Sequence, residues 1–62
     1  MNFTPVSAKV KAVTEKAVLL VSDIGVEAWV PKSCIDESDH DELEVGVDWE
    51  FNIATWFVEK EF

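Results

Sequence analysis

The sequence predicts a mainly β domain: one small antiparallel sheet of four to five strands, strongly bent, with a short helical turn at the C-terminus. Three observations predict it. Short β-branched and aliphatic runs recur at Ala8–Val13, Ala17–Ser22 and Val26–Pro31, each separated from the next by three residues suited to a tight turn. Two of these runs alternate apolar with polar residues, the period-two pattern of a half-buried strand. The chain has 62 residues, enough for a single domain spanning 1–62, and contains no repeat, linker or low-complexity segment.

Met1–Ser7 carries Pro5 and reads as an extended lead-in, with Phe3 and Val6 available to cover an edge of the core. Ala8–Val13 sets Ala8, Val10 and Ala12 against Lys9 and Lys11, so the lysines belong on an outer face. Thr14-Glu15-Lys16 is a hairpin turn. Ala17–Ser22 is apolar without alternation up to Ser22, which predicts a central strand covered on both faces. Asp23-Ile24-Gly25 then forms a second hairpin, because glycine supplies a positive φ at no steric cost. Val26–Pro31 alternates again, and Pro31 ends the ladder for want of an amide hydrogen.

Lys32–Ile35 is a tight helical turn or loop with Ile35 directed inward, and Asp36–Asp41 is a flexible polar loop. Leu43, Val45 and Val47 share one face of a further short strand opposite Glu42, Glu44 and Asp48, with Gly46 marking a turn or bulge. In the last strand Trp49, Phe51 and Ile53 face one way while Glu50, Asn52 and Ala54 face the other. Thr55 is a helix N-cap for the tail to Phe62. Five short strands with tight hairpins describe a bent sheet or a partly open barrel of SH3 or OB type.

A chain this short buries only about 60% of the surface its unfolded form exposes, so its stability is marginal. Cys34 is its single cysteine, which excludes an internal disulfide; with no signal-like segment at the start, the expected compartment is the cytoplasm. No apolar run approaches the ~20 residues of a transmembrane helix. Homodimerisation would supplement so small a core.

The formal charge is −8, and it is unevenly placed: residues 1–35 hold four lysines against three carboxylates, residues 36–62 one lysine against ten. Eight of the fifteen residues from Asp36 to Glu50 are acidic, namely Asp36, Glu37, Asp39, Asp41, Glu42, Glu44, Asp48 and Glu50. Such a field repels nucleic acid and anionic membranes and attracts a basic partner. On a strand, residues two apart lie ~6.8 Å from one another on one face, a spacing on the scale of successive phosphates. The eight carboxylates are therefore the candidate partner-binding patch, with Trp49 and Phe51 as the floor beneath it.

Other chemistries find less support in the sequence. Asp36, Asp39, Asp41 and Glu42 lack the spacing and central glycine of an EF-hand calcium loop. His40, expected on an exposed loop, and the more distant Cys34 are a poor set for a transition metal, and they are the chain's sole candidate nucleophile–base pair, without an orienting third group. No enzyme, cofactor or metal is expected. Trp29 with Lys9, Lys11 and Lys32 offers an alternative, a small platform on which single-stranded nucleic acid would stack, and a third reading is an acidic structural module that dimerises through Trp29 or Trp56.

The size, the acidic C-terminal half and the β architecture together resemble the small phage-encoded anti-CRISPR proteins, in particular acidic inhibitors of type I, including type I-C, surveillance complexes. The resemblance covers the whole length and carries no shared motif. It implies a DNA-mimic inhibitor in the host bacterial cytoplasm that occupies the basic groove of a DNA-recognising subunit and excludes target DNA. Trp29-Val30-Pro31-Lys32-Ser33 separately resembles an element of small phage and prophage β domains.

Overall fold

The computed structural model describes residues 2–62. Four strands, β1 (Phe3–Val13), β2 (Ala17–Ser22), β3 (Glu27–Pro31) and β4 (Asp48–Ala54), form one open antiparallel sheet in the order β3-β2-β1-β4. A 3₁₀ turn at Lys32–Cys34 and a 3₁₀ helix at Glu37–Glu42 connect β3 to β4, and the chain ends in α1 (Thr55–Glu61). The mainly β class is as predicted; β3 and β4 do not pair, so the sheet stays open.

β1 carries the architecture because it pairs along both of its edges. Its first half runs against β4, from Phe3 opposite Ala54 to Lys9 opposite Asp48, and its second half against β2. The predicted lead-in is thus part of one eleven-residue strand; Met1 lies outside the described residues. Pro5 is tolerated there for a specific reason. It stands opposite Asn52, whose own N–H and C=O point away from β1 toward Asp39 and Asp36, so this pair exchanges no backbone bond and a missing donor costs nothing.

A bulge corrects the expected alternation. One extra residue is inserted in β1 between Val10 and Ala12, which pair with the consecutive Leu20 and Leu19. Val6, Ala8 and Val10 therefore face the core, but Ala12 turns to the outer face beside Leu19, and Val13 falls on the side of Val18 yet stays exposed at the strand end. Across β2 the inward residues Val18 and Leu20 are fully buried, whereas Ala17, Leu19 and Val21 are half-buried. Among the described residues their side of the sheet has no second layer, which is why β2 is not covered on both faces as predicted.

The two hairpins differ in their chemistry. At the first, Thr14 closes on Ala17 through its own N–H and a hydroxyl that meets both backbone groups of Ala17. At the second, Gly25 at φ 84° donates to the Ser22 carbonyl, the three-residue loop in which a left-handed third residue closes the turn.

The predicted fifth strand does not form. Leu43 ends the 3₁₀ helix, Val45 is exposed, and Glu44–Val47 makes a tight turn with Gly46 at φ 93°. Gly46 N–H donates to Val10 O at 2.8 Å, and Val10 N–H donates to Val47 O at 2.9 Å. The turn is thereby stitched to β1 just where β4 begins, and the strand count drops from five to four.

The core comprises Val10, Val18, Leu20, Val30, Phe51 and Ile53 with Ile35, Leu43 and Phe57 around them. Ala54, not Thr55, holds the cap position of α1; the Thr55 hydroxyl instead bonds the Thr4 hydroxyl at 2.8 Å and ties the helix to the start of β1. Phe51→Ala should lower unfolding stability by about 3–5 kcal/mol in urea titration, enough to unfold a domain of this size. Trp56→Ala, at a position 56% exposed, should leave the midpoint nearly unchanged.

Candidate functional site: an acidic edge

The acidic segment is not a flexible loop. Asp36 opens the 3₁₀ helix by accepting Ser38 N–H on its side chain at 3.1 Å, and Asp39 N–H donates to the Asp36 carbonyl at 2.9 Å. Asp39, only 6% exposed, is then turned toward β4. Its Oδ2 accepts the backbone N–H of Asn52 at 2.8 Å and the Asn52 side-chain amide at 3.2 Å, and its Oδ1 accepts the Trp49 indole N–H at 3.3 Å. Asp36 N–H donates to Asn52 O at 2.9 Å, and Ile35 bridges Ile53. The outer edge of β4 is consequently covered by its own connection.

This arrangement sorts the eight predicted carboxylates. Asp39 is buried and structural, and it leaves the surface patch because burial of a carboxylate demands the hydrogen bonds it makes. Asp36 is half-buried in its capping role. Glu37, Asp41 and Glu44 are exposed, with Glu42 half-buried. Asp48 and Glu50 project from the outer face of β4, in line with Asn52, whose amide reaches Asp39. The 3₁₀ helix and the strand therefore border one another, with Glu37, Asp41 and Glu42 on the helix, Glu44 in the turn after it, and Asp48 and Glu50 on β4. Phe51 lies fully buried beneath, while Trp49 is 45% exposed and spans from β4 to the helix.

Among the described residues the one ion pair is Lys11 Nζ to Glu27 Oε2, at 2.8 Å. No residue from Asp36 to Glu50 joins it. Lys9 stands directly opposite Asp48 in the ladder, within reach of its charge but beyond pairing distance.

The alternative aromatic and lysine platform is distributed differently. Lys9, Lys11 and Trp29 share the outer face, but Glu27 holds Lys11 and Asp48 opposes Lys9. Lys32 belongs to the 3₁₀ turn instead. An open depression of ≈ 550 Å³ on this face is lined by Lys9, Lys11, Val21, Glu27, Val45 and Asp48, a mixture of both signs that does not match a phosphate chain.

His40 is half-buried, contrary to expectation. Its Nε2 lies 3.0 Å from both the Lys32 and Ile35 carbonyls, two acceptors, so Nε2 carries the hydrogen and holds the 3₁₀ turn closed. Cys34 is a buried free thiol. Among the described residues no three His, Cys, Asp or Glu side chains are grouped to hold a metal ion, and no helix is long and apolar enough to cross a membrane. Asn52 joins the site without a sign in the sequence, where it is an ordinary outward position of β4.

The chain matches no protein-family profile, no curated protein and no solved structure.

Asp39→Asn should reduce stability by about 1–3 kcal/mol, because an amide turns a donor toward the Asn52 or Trp49 donors. Thermal unfolding followed by Trp fluorescence checks it. Glu37→Gln should change stability by no more than about 0.5 kcal/mol.

Proposed function

We propose that this chain is a non-enzymatic acidic inhibitor that inserts its β4 edge into the basic nucleic-acid groove of another protein and excludes the nucleic acid. One observation carries the reading. Asp39 fastens the 3₁₀ helix that carries Glu37, Asp41 and Glu42 to β4, the strand that carries Asp48 and Glu50, with Glu44 in the turn between them, and among the described residues no lysine is paired with any of them. A mobile acidic loop pays backbone conformational entropy when it docks; a segment whose backbone is fastened beforehand loses less, and the field of its carboxylates steers encounter with a basic surface. Like charges held this close also destabilise a marginal fold, a cost that solubility alone does not require.

A target of anti-CRISPR type, a DNA-recognising subunit of a host defence complex, suits the charge and the scale of the edge. The single-stranded nucleic-acid reading is weakened by the carboxylates that answer Lys9 and Lys11.

The test is competition for DNA by a basic DNA-binding protein. Replacing Glu42, Glu44, Asp48 and Glu50 with Lys should slow association on the order of 10 to 1,000-fold and abolish competition, with the circular dichroism spectrum retained. Raising salt should weaken the wild-type chain in the same direction. Full competition by the folded reversal variant, or a direct mobility shift of free DNA by the wild-type chain at low salt, would overturn the proposal.

A further inference from the structure

The two edges of the sheet are unlike. β4 is covered by Ile35–Asp39, whereas nothing among the described residues pairs with the outer edge of β3. The phase of the ladder shows which groups are free there. Lys32 N–H donates to Lys16 O and Ser22 N–H donates to Val26 O, so the residues of β3 bonded to β2 are the even-numbered ones, Ala28 and Val30. The N–H and C=O groups of Glu27 and Trp29 therefore point outward, and Pro31 has no donor to offer beyond them.

We propose that β3 pairs antiparallel with β3 of a second copy, with Ala28 on the two-fold axis. Glu27 then faces Trp29 of the partner and Trp29 faces its Glu27, and four backbone hydrogen bonds satisfy every free group of these residues. Pro31 falls outside the seam. On the outer face the two Trp29 rings become diagonal neighbours ~7–8 Å apart at the backbone, within reach of aromatic contact. Trp29 is 51% exposed in the single chain and adjoins Leu19, so the seam extends an apolar strip already present.

Charge chooses a second copy here despite the net −8 of each chain. At the seam, Glu27 is held by Lys11 at 2.8 Å, and Lys16 and Lys32 lie at the adjoining strand ends. The acidic edges lie at opposite ends of an eight-stranded sheet, seven strand spacings or ~34 Å apart, several times the ~8 Å Debye length at physiological salt. A partner strand on β4 would meet both the carboxylates and a covered edge.

Sedimentation equilibrium of the full chain should give twice the 7.0 kDa mass, and Trp29→Lys should return it to 7.0 kDa while Trp56→Lys leaves it doubled. Native-state hydrogen exchange should show the Glu27 and Trp29 amides slowed by roughly tenfold or more on concentration, since the phase of the ladder turns both away from β2. A 7.0 kDa mass at all concentrations overturns the proposal. So does a dimer whose Glu27 and Trp29 amides still exchange freely, and that readout decides the matter even if Trp29→Lys fails to fold.

Discussion

Everything at the acidic edge depends on one buried carboxylate. Among the described residues Asp39 has no cation beside it, and a charge taken out of water alone would cost far more than this domain can lose. Three donors converge on it instead, two from Asn52 and one from Trp49. Each of those donors would otherwise sit at an uncovered strand edge or at the margin of the core. The same carboxylate therefore satisfies β4 and anchors the 3₁₀ helix. Its Oδ2 bonds to Asn52 also explain why the edge is closed by side chain and backbone together, with Asp36 N–H supplying the complementary bond to Asn52 O.

Closing one edge leaves the other defined by contrast. An open four-stranded sheet has two rows of unpaired backbone groups, and long apolar rows invite association with any extended chain. On β4 the row is occupied and surrounded by like charge. On β3 the row is short, ends at Pro31, and is bordered by a neutralised Lys11–Glu27 pair. The division of charge along the sequence is thus also a division across the sheet.

The hairpins and most strands were legible because their signals are local: alternation in Val26–Pro31, glycine at Gly25, an apolar run in Ala17–Ser22. The exceptions lie where a tertiary partner overrides a local sign. Pro5 suggested that pairing had not begun, yet it occupies the one kind of ladder position where proline loses nothing. Leu43, Val45 and Val47 alternate as a strand should, but Gly46 at positive φ turns the chain after Val45 and leaves that valine in solvent. Asp39 looks like any other carboxylate in its segment. What distinguishes it is the approach of Trp49 and Asn52, ten and thirteen residues later, and nothing in its own neighbourhood reports that. A partial signal existed in Asp36-Glu37-Ser38, an aspartate placed to accept the amide two residues on, which favours a capped turn over a mobile loop.

The division of labour among the carboxylates follows from this geometry. In a 3₁₀ helix residues three apart share a side, so directing Asp39 inward also draws Glu42 partly under cover and leaves Glu37 and Asp41 facing solvent. Stability is thereby concentrated in Asp39 and, through its cap, Asp36. Field strength is concentrated in Glu37, Asp41 and Glu44 together with the β4 pair Asp48 and Glu50. Among the described residues the second group pairs with no lysine and is exposed, so changing its charge leaves intact the hydrogen bonds of Asp39 and Asp36 that hold the segment against β4.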